Sequence, residues 1–174
     1  MMNDKKHEIT EECYRQAENC LYTSTNLYLW LRILRVAKTA FIVVPLVLGC
    51  LGAWKLLTAN DVATVRILAS VCAFLAGLLP TVYAALKFDD SLDAVARNAT
   101  AFKVQQDEFR QTALIHSHDP IEEYQARFDS VMAKMNEARA AALTPPEWVF
   151  KLAQKKVKSG DYSFDHDEKK KREQ

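Results

Sequence analysis

Two apolar stretches set the pattern of this chain, and the remaining residues alternate apolar and polar positions around them. Residues 67–86 (ILASVCAFLAGLLPTVYAAL) contain no charge at all. As a helix rising about 1.5 Å per residue, they cover about 30 Å, the thickness of the hydrocarbon layer of a bilayer. Residues 39–54 are likewise uncharged and are followed by Lys55 and two leucines. That makes about 24 Å of bare helix, extended to about 28 Å if Lys55 snorkels to the headgroups. The plainer alternative is a pair of buried helices in a soluble bundle. Such helices keep one polar side, whereas here the apolar character runs all the way round. Nine Leu, Ile, Val or Phe in residues 67–86 favour insertion by roughly 3 to 5 kcal/mol, a margin that Gly77 and Pro80 reduce. Two membrane spans are predicted, 39–57 and 67–86, joined by a short loop at 58–65 that makes them antiparallel neighbours.

Outside the spans the period is helical. Ile9, Cys13, Ala17, Cys20, Leu27, Leu31 and Leu34 make an uneven apolar row in three- and four-residue steps, which predicts an amphipathic helix over 4–38. Its second half carries Tyr22, Tyr28 and Trp30, then Arg32, Arg35 and Lys38. Rings followed by cations just before an apolar span form an interfacial belt. Beyond the second span, Phe88, Leu92, Val95, Ala99, Phe102, Gln106, Phe109 and Ala113 alternate steps of four and three. That is a coiled-coil seam, read as continuous with the span. Gln106 lies in it, either fixing register or tolerated as a defect. The helix is expected to end near His116–Ser117–His118. Asp119, Pro120 and Glu122 then suggest an N-cap, a first-turn proline and a capping-box acid. A second seam follows at Ile121, Tyr124, Phe128, Val131, Met135, Ala138 and Ala142, which pairs with the first as an antiparallel hairpin. Thr144, Pro145 and Glu147 open a short helix bearing Trp148, Val149 and Leu152, and residues 159–174 read as a disordered charged tail.

Composition changes this picture little. The chain is 49% hydrophobic and 26% charged with a net charge of +1, but the charge is segregated into the flanks, so the total says nothing about partners. With four glycines, five prolines and no alternating strand pattern, the fold class is all-α. The four regions are an N-terminal helix (1–38), the two-span hairpin (39–86), a helical hairpin with a short helix (87–158) and the tail. Cys13, Cys20, Cys50 and Cys72 show neither metal spacing nor a disulfide framework. No secretory leader is visible, since the first apolar run begins too late. Lys and Arg near the span ends fall mainly on the terminal sides (Arg32, Arg35, Lys38, Lys87, Arg97 and Lys103, against Lys55 and Arg66). By the positive-inside bias both termini are cytoplasmic.

Three features in and beside the spans are candidate functional positions. Ala69, Ala73, Gly77, Thr81 and Ala85 put a small residue at every fourth position of the second span. Such a row lets helices approach closely in lipid, packing subunits together or lining a narrow pore. Alternatively it reflects only the Ala and Gly content of membrane helices. Pro45 and Pro80 are candidate kinks or gates. Asp89, Asp90 and Asp93, just past the second span, are either an acidic pore mouth favouring cations or an ordinary solvated face. No phosphate loop, nucleophile elbow, metal-ligand pair or nucleic-acid motif is present, so no enzyme activity, cofactor or metal is implied. His116, His118 and Asp119 cluster at a turn already explained by capping.

The order of these parts carries a resemblance. Cys20-Leu21-Tyr22-Thr23-Ser24 leads into Leu31-Arg32-Ile33-Leu34. Two spans follow, then Lys87-Phe88-Asp89-Asp90, a helical hairpin and Thr144-Pro145-Pro146-Glu147-Trp148. Over about residues 10–160 the chain resembles the SLATT family, the two-transmembrane effector domain associated with SMODS nucleotidyltransferases and SLOG sensors. The resemblance implies an oligomeric pore-forming effector of a prokaryotic antiphage defence system, acting in abortive infection. It would sit in the bacterial inner membrane and depolarise it when triggered. The trigger would be a separately encoded nucleotidyltransferase, reverse transcriptase or other sensor, or a cyclic nucleotide. The alternative is a membrane-anchored scaffold whose cytoplasmic hairpin recruits a partner protein.

Overall fold

The computed structural model describes the backbone of residues 2–58 and 63–159. Residues 160–174, where the charged tail is expected, lie outside the described residues, as do 59–62 of the interspan loop and the side chain of Lys55. Five α-helices and one 3₁₀ turn make up the described chain, with no strand among the described residues. They are α1 (Met2–Thr58), α2 (Ala63–Ala85), α3 (Phe88–Leu114), the turn His116–His118, α4 (Ile121–Ala140) and α5 (Glu147–Lys158). The chain divides into two compact units, residues 31–93 and residues 1–30 with 94–174.

In the discontinuous unit, the apolar rows read from the sequence become the core. Cys13, Ala17, Cys20 and Leu27 of α1 are buried, as are Val95, Ala99, Phe102, Phe109 and Ala113 of α3 and Tyr124, Val131 and Met135 of α4. Burying each of the larger side chains contributes about 1.5–3 kcal/mol. Partner numbers give the directions. Lys6 Nζ donates to the Asp119 carbonyl at 2.7 Å, Thr10 Oγ1 lies 2.9 Å from Tyr124 Oη and Cys20 Sγ lies 3.7 Å from Met135 Sδ. These separations stay between 113 and 115 residues, so α1 runs parallel to α4. The α3–α4 pairs run the other way. Asn98 Nδ2 donates to the Ala141 carbonyl, Lys134 Nζ to Glu108 Oε1, and the Phe109 and Phe128 rings lie 6.2 Å apart. The N-terminal helix is therefore a third wall of this core, because its own apolar row has to be covered too.

Several buried polar groups inside this unit are satisfied by their own helix. Gln106, buried in its seam, accepts from Lys103 Nζ at 2.9 Å one turn earlier. Thr112 and Ser24 donate to carbonyls of their own helices. Burial pushes the Cys13 and Cys20 thiols up to about 11, so both stay protonated at neutral pH and pack as small apolar groups.

Helix starts differ from the capping reading. The N-cap of α4 is Pro120, with no side-chain cap bond, because the Asp119 carboxylate turns back to His116 Nδ1 at 2.7 Å. The N-cap of α5 is Pro146, also without a side-chain bond. In both, the proline sets the entry angle without a polar side chain.

Met135 is fully buried and its sulfur meets Cys20 of α1, so Met135→Ala is expected to destabilise the discontinuous unit by about 2–5 kcal/mol. Glu108→Gln, which removes only the exposed pair with Lys134, should cost about 0–1 kcal/mol. Amide exchange of the full chain in detergent micelles measures both.

Candidate functional site

The candidate site lies within the unit of residues 31–93: the α2 half, the facing part of α1 and the turn into α3. Both helices contain windows long and apolar enough to cross a membrane, and only 11% and 6% of those windows is buried inside the protein. Leu46 (68% exposed) and Phe74 (67%) are typical of what remains open. A buried core helix of a soluble bundle has the opposite accounting.

On α1, Leu31, Leu34 and Pro45 are buried, Lys38 and Phe41 are partly covered, and Gly49 and Gly52 continue the stripe. The two glycines mark close packing. A Cβ on Gly52 would stand 3.5 Å from both the Ala69 carbonyl oxygen and Cys72 Cβ, and one on Gly49 would stand 3.9 Å from Ala76 Cβ. Helix α1 runs unbroken through Pro45, as α2 does through Pro80. Each proline leaves the carbonyl four residues earlier, Phe41 or Ala76, without its usual helical donor. Pro45 sits on the packed face and Pro80 on the open one.

The small-residue row divides. Ala69 is buried at 1% exposure, while Ala73, Gly77, Thr81 and Ala85 are exposed. A Cβ on Gly77 would meet nothing within 4 Å, and Thr81 Oγ1 donates to the Gly77 carbonyl of its own helix. The reason is angular. Each four-residue step turns 400°, so the row drifts about 40° per step and winds off the contact after its first member. The covered stripe is instead Val65, Ala69, Cys72, Ala76, Leu79 and Tyr83, in alternating steps of four and three.

That stripe also explains why α2 and α3 are not one helix, contrary to the continuous reading. From Tyr83 the same rhythm reaches 86 or 87 and then 90, but the next seam begins at Phe88 and Leu92. A straight helix would carry the two stripes out of phase. The chain breaks at Leu86 and Lys87, where Lys87 takes φ 46°. This left-handed conformation costs a non-glycine residue on the order of 1–2 kcal/mol. Its N–H donates to the Ala84 carbonyl at 3.2 Å, closing α2, and its own carbonyl accepts from Ser91 N–H as α3 starts.

Groups on both sides of the break hold it. Asp89 Oδ1 accepts from Lys38 Nζ at 2.6 Å and from Tyr83 Oη at 2.7 Å. The Phe41, Tyr83 and Phe88 rings form a closed trio, with centroids 5.5 to 6.0 Å apart. Asp89 and Asp90 also sit in the first turn of α3, where the helix dipole favours negative charge. All three acids are exposed, yet they are unequal: Asp89 ties Lys38 to Tyr83. Lys38, Phe41 and Tyr83 were not singled out as site residues from the sequence. The signal for them was a cation before one span and an acid after the other, at the same end of an antiparallel pair.

Hydrogen bonds first from Lys38 and then from Tyr83 hold the Asp89 carboxyl below its ordinary value of 3.8. A depressed folded pKa means that the native state binds fewer protons than the unfolded one. The contact therefore stabilises fully above about pH 4 and is lost as pH falls through the lowered value. A carboxyl NMR titration is expected to find Asp89 titrating below the ordinary aspartate value of 3.8, with Lys38→Met moving it up more than Tyr83→Phe. An Asp89 midpoint unmoved by Lys38→Met would remove the tie. Across family models, curated proteins and solved structures, none matches this chain.

Proposed function

We propose that the chain is a multi-pass inner-membrane protein of a bacterium, with α1 and α2 crossing as an antiparallel hairpin, both termini in the cytoplasm, and several copies assembling into a gated pore. The single observation that carries this reading is the open face of α2. It combines large exposed apolar side chains with the outward-facing Ala73, Gly77, Thr81 and Ala85. Lipid covers the large side chains, and the small ones admit a neighbouring helix. Two helices enclose no water path, so conduction requires copies around an axis. Asp90 and Asp93 then stand at the cytoplasmic mouth, where exposed carboxylates favour cations. On the resemblance to SLATT effectors, the assembly is silent until a separately encoded sensor or a nucleotide signal triggers it, and it then depolarises the membrane in antiphage defence. The cytoplasmic hairpin of α3 and α4 serves as the assembly and sensing module.

The alternative, a membrane-anchored scaffold, is favoured by one observation: residues 1–30 and 94–159 bury a core of their own. Such a unit could present a partner surface with the spans acting only as a tether.

Purified protein in sealed vesicles is expected to release a small dye or dissipate a potassium gradient. Gly77→Trp should lower the rate at least tenfold at equal incorporation. Asp90→Lys with Asp93→Lys should shift permeation from cations towards anions. Vesicles that stay sealed with and without a cellular trigger would sink the pore. Replacing residues 39–86 with an unrelated two-span anchor separates the readings, because a scaffold keeps its activity and a pore loses it.

A further inference from the structure

Helix α5 carries a surface that the pore reading does not use. Val149 and Ala153 are fully buried and fix the helix to its unit. On the open side Trp148 is 50% exposed and Leu152 49% exposed. Lys151 and Lys155 stand beside them at helical spacing, so Trp148, Lys151, Leu152 and Lys155 form one stripe. Phe150 is also exposed, on the opposite flank. The helix has four lysines (Lys151, Lys155, Lys156 and Lys158) against a single acid, Glu147. Three of the four crowd its last turn. An apolar ring and a leucine flanked by long cationic side chains match the chemistry of an interfacial helix: the rings and methyls enter the acyl boundary while the ammonium groups stay with headgroup phosphates.

A second feature links this surface to the aromatic belt residue read from the sequence. The Trp148 ring stands edge-on against Trp30, with centroids 6.1 Å apart and planes at 81°. In the sequence, Trp30 precedes the uncharged stretch of α1 by nine residues and is followed by Arg32, Arg35 and Lys38. Tryptophans in such a position favour the headgroup level. The pair therefore brings the first turn of α5 against the belt residue of α1, within one and the same unit.

We infer that α5 is a surface-seated helix that binds the anionic lipid of the leaflet next to it, through the Trp148–Lys151–Leu152–Lys155 stripe and the lysines of its last turn. The charge of the helix selects the partner: Lys151 pairs with Glu147 at 2.9 Å, and the lysines of the last turn leave an excess of positive charge that matches phosphate-bearing headgroups. The inference uses the proposed membrane location but neither assembly nor conduction, and it holds equally for a pore and for a scaffold.

The test uses the full chain in nanodiscs, which expose both leaflets, made of zwitterionic phosphatidylcholine alone or with about one-third phosphatidylglycerol. Lysine acetylation by a small uncharged reagent is followed residue by residue by mass spectrometry. Lys151, Lys155 and Lys158 are expected to react at least threefold more slowly in the anionic discs, with the difference abolished by high salt. Lys103 and Lys134 should react alike in both. Trp148→Ala with Leu152→Ala should restore the faster rates in anionic discs while the protein remains disc-bound through its spans. Equal rates in the two compositions would overturn the inference. So would protection that follows the number of protein copies per disc and not lipid charge, since a second copy would then be the occupant. Vesicle leakage, read separately, is unaffected by either result.

Discussion

Everything in this protein follows from apolar surface that the chain cannot cover by itself. Helices α1 and α2 meet along one narrow stripe, from Phe41 through Pro45 to Gly49 and Gly52 on one side and from Val65 to Tyr83 on the other. Around the rest of their circumference, side chains such as Val36, Ile42, Ile67 and Leu68 stay open. At about 25 cal/mol per Å² of apolar area, water is a poor medium for that surface. Cover for it must come from outside these two helices, which are long and apolar enough to cross a membrane.

The unit formed by residues 1–30 and 94–174 solves its own problem differently. Its three long amphipathic segments each offer one apolar row, and the rows cover one another. Where a buried position is polar, its hydrogen bond often goes to the same helix, as for Gln106, Thr112 and Ser24. Not all are settled this way. Among the described residues, Asn26 Oδ1 and Gln105 Oε1 are buried without an internal hydrogen bond. Unpaired acceptors of this kind cost on the order of 1–3 kcal/mol each, so they are the least comfortable points of that core.

Much of this was legible in the sequence, because period and burial are coupled by simple geometry. All but the first position of the α3 seam is buried, and the α1 row is buried from Cys13 onward. What the sequence did not reveal was phase. The eye follows small residues in fours from Ala69 to Ala85, and that row leads smoothly to Phe88. The packing follows alternating fours and threes instead, which strands Ala73, Gly77, Thr81 and Ala85 on the open side and forces a break before Phe88. Likewise Asp119 is a favourable N-cap residue type, yet its partner is His116. A local motif states what a residue can do, and a neighbour three residues away decided between the options. The unequal roles of Asp89, Asp90 and Asp93 were hidden for the same reason, since only Asp89 has Lys38 and Tyr83 within reach.

The break at Lys87 has an evolutionary corollary. The two stripes it separates are out of step by one to two residues, so the joint absorbs a mismatch in phase. Loss of a single codon between Tyr83 and Phe88 would bring the stripes closer to one rhythm and lower the cost of an unbroken helix.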